Sequence, residues 1–341
     1  MASFNQASRK IGDTLVPPIG FGAMGISGFY GTVGSDEERF KVLDAAYEHG
    51  CTHWDSSDVY ADSEELIGKW FKRTRKRNEI FLATKGSLTF SREAGFGVRG
   101  DAAYIAEAVN RSLSRLGVDS IDLYYLHRVD LTVPIEFTVG AMAELVKQGK
   151  VKYIGLSECS ANDLRRAHAV HPISALQIEV SPFVLEPFDP KTGILATARE
   201  LGITIVAYSP LGRGMLTGRY KSVDDFEADD FRRSIPKYSN ENFPKILDIV
   251  SKIKEIAATH NATPGQAAIA WVLAQGDDFV TIPGTKNVKY IKENVGAAAV
   301  KLTSEDIAAI TKITTDADLV GGRYADAIIQ MMYTDSPALA N

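Results

Sequence analysis

Short apolar runs alternate with amphipathic stretches along almost the whole of this 341-residue chain. That alternation constrains the fold more than any other feature. Eight runs read as strands: Ile19-Gly20-Phe21, Cys51–Trp54, Ile80–Thr84, Ile121–Leu126, Val151–Leu156, Ala175–Ile178, Ile203–Ala207 and Phe279–Ile282. Helical spacing follows each of them. Ser35-Asp36-Glu37-Glu38 reads as an N-cap with an acidic first turn, ahead of Phe40, Leu43, Ala46 and Tyr47, and Gly50 stops that helix. Leu66, Ile67, Trp70 and Phe71 mark a second helix, and a third runs from its cap at Asp101 to a stop at Gly117. Further helices are expected over 135–148, 161–169, 193–201, 264–275 and 288–299. Each strand-to-strand crossover has room for a helix, so the strands should pair in parallel. Eight repeats without a composition break favour a closed (β/α)8 TIM barrel over an open doubly wound sheet. Gly20-Phe21-Gly22-Ala23-Met24-Gly25 fits the G-x-G-x-x-G dinucleotide template. The reading here is that no helix opens at its last glycine and that 26–34 is a Gly-rich loop, so the match is discounted.

Several segments lie outside the repeat. Arg9 to Val16 reads as a hairpin turning at Gly12-Asp13, placed to plug the bottom of the barrel. A Gly-rich loop follows the third strand. Residues 212–242 are long, charged and poorly periodic, which suits an active-site loop leading into a helix over 243–259. An extra helix over 302–313 is expected, capped by Ser304, followed by a tail over 317–341. The whole chain, 1–341, is read as one domain.

Composition removes several function classes. Net charge is −5 with no large basic block, which argues against nucleic acid and anionic membranes as partners. The one basic cluster, Lys72 to Arg77, sits where a helix should end. Two cysteines, Cys51 and Cys159, fit a reducing compartment. Neither apolar signal segment nor transmembrane-length run is evident, so a cytoplasmic protein is expected.

Four polar residues follow or end strand runs in the first half: Asp55, Tyr60, Lys85 and His127. In a barrel of this kind catalytic groups sit at the C-terminal ends of strands. A carboxylate, a phenol, an amine and an imidazole could meet there and deliver a proton to a carbonyl oxygen. A phenol with pKa near 10 needs nearby positive charge to favour its anion. Lys85 can supply it, Asp55 can hold Lys85 protonated, and His127 can donate to the substrate oxygen. This chemistry needs no metal. Each residue alone has an ordinary structural reading as cap, packed ring, salt bridge or core imidazole; together and in order they point to function.

Longer segments around these residues carry a resemblance. Trp54-Asp55-Ser56-Ser57-Asp58-Val59-Tyr60, with Ser63 to Gly68, resembles the aldo-keto reductase signature after strand two. Ala83-Thr84-Lys85 and Asp122 to Arg128 are similar to its later catalytic segments, as are Lys147 to Ser157, Tyr208 to Gly212, Ile282 to Thr285 and Glu293-Asn294. The resemblance covers nearly the whole chain, and it looks closest to the branch of pyridoxal reductases and potassium-channel β-subunit-like reductases.

The resemblance implies NADPH-dependent reduction of a small-molecule aldehyde or ketone, with Tyr60 as general acid, Lys85 and Asp55 as its tuning pair and His127 as orienting donor. It implies NADPH/NADP+ extended across the barrel mouth. Gly22 and Met24 would line the nicotinamide ribose beside Asp55. Tyr208 would stack on the ring, and Ser157 and Gln177 would hold its carboxamide. The backbone through Ser209, Pro210, Leu211, Gly212 and Gly214 would cradle the pyrophosphate. Gly284, Thr285 and Lys286 would take the 2′-phosphate, and Glu293 and Asn294 the adenine. Two positions depart from the common pattern. Glu158 stands where many members have Asn, and it can accept from the carboxamide NH2 but not donate to its oxygen. No Arg stands near the 2′-phosphate site; Asn287 and Tyr290 occupy candidate places, with Lys286 and Lys289 as point charges.

Substrate-contacting candidates are Phe29, Tyr30, Tyr60, His127 and Arg128, with Phe90, Phe96 and 232–238 around them. Tyr324, Met331, Met332 and Tyr333 of the tail could cover the mouth. Arg128 reads equally as a contact for a substrate anion or as a structural partner of Asp130. The aromatic content suggests an apolar or ring-bearing substrate. Two other classes are compatible: an NADPH-binding regulatory subunit with slow turnover, and a Schiff-base aldolase using Lys85. The oligomeric state is not readable.

Overall fold

The computed structural model describes residues 8–91 and 95–339. Gly12, at φ 59°, turns the chain between β1 (Arg9–Ile11) and β2 (Thr14–Val16), which pair antiparallel with Ile11 opposite Thr14. A positive φ of this kind suits glycine because it has no Cβ to clash. Eight parallel strands follow around the barrel: β3 (Phe21–Gly22), β4 (His53–Asp55), β5 (Phe81–Gly86), then, past a hairpin of β6 (Leu88–Ser91) and β7 (Gly95–Val98), β8 (Ile121–Leu126), β9 (Val151–Ser157), β10 (Ala175–Glu179), β11 (Thr204–Tyr208) and β12 (Phe279–Thr281). The ring closes through a parallel bridge between Ile19 and Thr281. Gly20 N–H donates to Thr281 O at 2.8 Å, and Thr281 N–H to Pro18 O at 2.9 Å. On the other side of this segment, a Cβ on Gly20 would lie 2.5 Å from His53 O, so glycine lets the chain run close beside β4.

Inward-facing residues Phe81, Ala83, Leu123, Tyr125, Val206 and Val280 cluster with Ile11 and Val16 of the hairpin. The hairpin is therefore the plug expected from sequence. Burying two such aliphatic side chains contributes about 1.5–3 kcal/mol each. His53 also lies inside the barrel, fully buried and edge-on to Phe81 at 5.3 Å, and neither ring nitrogen has a hydrogen-bond partner among the described residues. Burial pushes its pKa down to about 3, with Lys85 adding to the same direction.

The outer helices follow local sequence chemistry. Ser35 and Glu38 form a capping box on the helix Asp36–Glu48. The Asp101 carboxylate accepts from Tyr104 N–H, and Gly117, at φ 62°, ends the helix Ala102–Leu116. The helix Ser63–Thr74 carries Lys72 and Arg73 in its last turn, as the basic cluster suggested. The helix Phe243–Thr259 has the bounds read from sequence.

Some expectations are corrected. A one-turn helix, Met24–Ser27, does occupy the first part of the supposed Gly-rich loop, with no side-chain cap at Ala23. One turn cannot present the helix N-terminus that a dinucleotide fold uses. The loop after β5 is instead the β6–β7 hairpin, which paired Phe90 with Phe96 across its backbone; the side chains of those two residues lie outside the described ones. The extra helix is Ser304–Asp316, and its cap is Thr303, boxed with Asp306, rather than Ser304.

Candidate functional site

Three neighbouring parallel strands carry the core of the site. Asp55 ends β4, Lys85 lies near the end of β5, and His127 follows β8. All three are buried. Tyr60, half-buried in the loop after β4, completes the group. Lys85 Nζ donates to Asp55 Oδ1 and, at 2.7 Å, to Ser56 O. The other Asp55 oxygen accepts from Gln177 Nε2 at 2.8 Å. Lys85 Nζ stands 5.1 Å from the centre of the Tyr60 ring. The Tyr60 ring meets His127 edge-on, with centroids 5.7 Å apart, and meets Phe29 at 5.9 Å. The sequence-derived four are thus brought together in one place.

Electrostatics sharpen their roles. Burial raises the Asp55 pKa and lowers that of Lys85, and their mutual attraction opposes both shifts. Tyr60 is held well above its ordinary value by burial first and Asp55 second, while Arg128 pulls it down. Lys85 was expected to be the positive neighbour of the phenol; paired with Asp55, it leaves Arg128 as the cation that opposes the rise. Tyr60 is therefore a protonated phenol, as a proton donor must be. Burial, with Arg128 and Lys85 nearby, pushes His127 well below its usual range, so the imidazole is neutral. Its Nδ1 lies 3.0 Å from Ser57 Oγ. Ser57 was not singled out from sequence, although it sits inside the Asp55–Tyr60 segment. Lys85, held by two acceptors, is not the free amine a Schiff-base reaction uses.

The opposite side of the mouth is closed by the tail. Arg323 donates to both Glu158 oxygens, at 3.1 and 2.6 Å, to Glu179 Oε2 at 3.2 Å and to Tyr208 Oη at 3.3 Å. Its Nε lies 3.2 Å from Glu186. Arg213 donates to the same Glu179 oxygen at 3.0 Å, and its guanidinium covers the Tyr324 ring at 4.3 Å. Tyr324 and Tyr208 share a hydroxyl–hydroxyl bond of 3.0 Å. Tyr333 N–H donates to Glu158 O, and Met332 is buried. The tail covers the mouth as expected, through contacts that no local pattern announces. The loop over 212–242 joins it: Phe231 N–H donates to Phe29 O, and Arg232 lies over the Tyr30 ring at 5.1 Å. Burial lifts the Tyr30 pKa to about 12.

Several residues assigned from sequence carry other bonds. The Glu158 carboxylate, also accepting from Glu179 N–H at 2.9 Å, is engaged by Arg323 rather than open. The Gln177 amide nitrogen is committed to Asp55. Arg128 does not pair with Asp130, whose oxygens accept from Gly100 N–H and Thr132. Ser157 Oγ accepts from Arg128 at 3.2 Å. Lys286 Nζ reaches Tyr30 O at 2.5 Å and Thr32 O at 3.0 Å. Thr285 Oγ1 accepts from Asn287 N–H, and Glu293 Oε1 from Thr263 Oγ1 at 2.7 Å. Tyr290 is half-buried and Asn294 buried.

The mouth nevertheless has the features an extended anionic cofactor requires. After β11, Ser209, Gly212, Arg213 and Gly214 all take positive φ. The amides of Leu211 and Arg213 have no acceptor among the described residues. Two free N–H groups on alternate residues of such a turn can serve an anion, although the Gly212 N–H between them donates to Ser209 O. A Cβ on Gly22 would lie 2.6 Å from Ile282 O, and one on Gly284 2.7 Å from Gly22 O, so glycine at both positions lets these two backbone segments pack against each other at the mouth. Beside the loop that carries Tyr60, a cavity of 670 Å³ is lined by Phe29, Val59, Leu88 and Tyr104 together with the charged Asp58, Arg111 and Arg115, among others.

The model of the Aldo/keto reductase family matches residues 18–315. A protein called aldo-keto reductase str7, from Strobilurus tenacellus, is 64% identical over 97% of this chain and 98% of its own. The aldo-keto reductase yakc [NADP(+)] of Schizosaccharomyces pombe is 50% identical over 97% of this chain and 98% of its own length. Among solved structures, the glycerol dehydrogenase of Gluconobacter oxydans superposes with a TM-score of 0.82 at 25% identity, over 92% of this chain and 96% of that one. The clustered Asp55, Tyr60, Lys85 and His127 on a closed eight-stranded barrel, together with a family match over most of the chain, lead to one assignment: this chain belongs to the aldo/keto reductase family.

Proposed function

We propose that the chain is an NADPH-dependent oxidoreductase that reduces an aldehyde or ketone to an alcohol, with Tyr60 as the general acid. The observation that carries this reading is the convergence of a buried Lys85–Asp55 pair, a protonated Tyr60 and a neutral His127 at the ends of adjacent strands. NADPH, when bound, supplies the hydride. The chain's own residues do the rest. His127 donates a hydrogen bond to the substrate carbonyl oxygen and fixes its direction. Tyr60 gives its proton to that oxygen as negative charge develops there. Lys85 stays charged because Asp55 faces it, and Gln177 holds Asp55 in place. The turn over 209–214, with the Leu211 and Arg213 amides free of acceptors among the described residues, would hold the pyrophosphate, and Lys286 and Thr285 would take the 2′-phosphate. The NADP(+) in the fission-yeast relative's name supports the cofactor.

Tyr60→Phe tests the reading. Turnover of an aldehyde, followed by NADPH oxidation, should fall roughly 10²–10⁴-fold, while NADPH affinity stays within about threefold as judged by nicotinamide fluorescence. Unchanged turnover would remove Tyr60 as the acid.

A further inference from the structure

Five arginines are buried among the described residues: Arg39, Arg128, Arg213, Arg232 and Arg323. Four of them face carboxylates. Arg39 meets Asp36 and Asp62, Arg213 meets Glu179, Arg232 meets Asp230, and Arg323 meets three glutamates. Arg128 alone has no carboxylate within salt-bridge distance among the described residues. Its Nη1 donates to His127 O at 2.6 Å and to Ser157 Oγ at 3.2 Å. Its Nε and Nη2 have no protein acceptor there. Glu158 is near enough to act on it electrostatically, but that carboxylate already takes Arg323 and the Glu179 amide. A buried guanidinium without a counter-ion is costly, and such a group is kept where a ligand brings the missing charge. Arg128 directly follows His127, and Tyr60 feels its charge. The unpaired edge therefore belongs to the residue bonded to His127, the side chain proposed to orient the carbonyl oxygen.

We propose that Arg128 binds a carboxylate on the substrate, so that the carbonyl compound reduced here is an oxo acid. The inference rests on the reductase reading and narrows it to a substrate class. The guanidinium offers two parallel N–H groups on its unused edge, the geometry a carboxylate accepts best. It narrows the expectation of an apolar or ring-bearing substrate: Phe29, edge-on to Tyr60, would meet the carbon skeleton, and Arg128 its acid.

The test compares oxo acids with their own methyl esters, using glyoxylate, succinic semialdehyde, 2-carboxybenzaldehyde and 4-carboxybenzaldehyde with the full-length protein and NADPH. For at least one spacing the acid should exceed its ester by about 10- to 100-fold in kcat/KM, the range of a charge-assisted contact. Arg128→Met should bring that ratio close to one, and Arg128→Lys should keep part of it. The proposal is overturned if no acid exceeds its ester, if the ratio survives Arg128→Met, or if that variant slows acid and ester by the same factor, which would give Arg128 a role in tuning Tyr60 instead. Loss of NADPH affinity in Arg128→Met with the ratio intact would assign the anion to the cofactor and also overturn it. Binding of each acid to the NADPH complex, read by quenching of nicotinamide fluorescence, separates the two readings. An acid held tightly through Arg128 without turnover upholds this contact and sinks the reductase; turnover of esters and acids alike does the reverse.

Discussion

On one side of the barrel mouth, Lys85 meets Asp55 from the neighbouring strand, 30 residues earlier in the chain. On the other, Glu158 and Glu179 meet Arg323 from a tail 165 and 144 residues further on. Both sides bury carboxylates, and each neutralises them differently. The first side uses strand register, so its geometry is set as soon as β4 and β5 pair. The second depends on a terminal segment with little regular structure, held mainly by Arg323, Tyr324, Tyr333 and Ser336. The lesson is that a pair fixed by strand register and a covering tail can share one opening while drawing on the same kind of ion pair.

The largest effect should come from Lys85→Met. It leaves Asp55 buried without its cation, at a cost of about 3–5 kcal/mol, and aldehyde turnover should vanish with it; denaturant unfolding and NADPH oxidation check both. Arg323→Gln breaks the other side. It should cost about 3 kcal/mol or somewhat more by the same argument, yet leave the Lys85–Asp55 pair intact, and limited proteolysis should then cut first beyond residue 316. A loss of the Lys85–Asp55 geometry in that variant would show that the two sides are not separable.

The pH dependence sets the sides apart. Arg323 holds the Glu158 pKa below its ordinary 4.5 despite burial. That contribution is present above the unfolded value and lost as pH falls through the folded one, so the tail should loosen in acid below about pH 4.5. His53 acts higher. Its folded pKa of about 3 against 6.5 unfolded means that the unfolded chain takes up a proton first, so stability declines from about pH 6.5 toward 3. His53→Leu should remove up to one proton from that slope, about 1.4 kcal/mol per pH unit, measured by urea unfolding at several pH values. The smallest effect is expected of Tyr324→Phe, which deletes only the hydroxyl bond to Tyr208 and should cost about 1 kcal/mol in thermal or denaturant unfolding.

Much of the first side was legible in the sequence because its causes are local. Strand runs end at Asp55, Lys85 and His127, and a barrel places strand ends on one rim. Asp101 and Gly117 bracket their helix through hydrogen bonds and φ angles that involve only a few residues. The second side was partly legible. Tyr324 and Tyr333 could be suspected of covering the mouth, but nothing in the sequence links Arg323 to Glu158, because the pairing depends on where the tail comes to rest. Glu158 reads as a cofactor contact from its place in a motif, and its pairing with Arg323 lies beyond that motif's reach. Ser57 was overlooked for the opposite reason: it lies inside the motif, and a small hydroxyl becomes informative only when it is seen 3.0 Å from the His127 nitrogen. The β6–β7 hairpin was hidden by Gly95 and Gly97, which read as loop but tolerate the turn and close pairing.

The seam between Ile19 and Thr281 bears on how the molecule is made. The two partners are separated by about 260 residues, and closing a flexible loop of that length costs about 5 kcal/mol in entropy. During synthesis from the N-terminus, the outer edge of Phe21–Gly22 waits while nearly all later strands emerge, and the ring can be sealed only once Thr281 has left the ribosome. A nascent chain arrested before that point should therefore carry an unpaired strand edge, the feature by which chaperones and aggregation compete for half-made barrels.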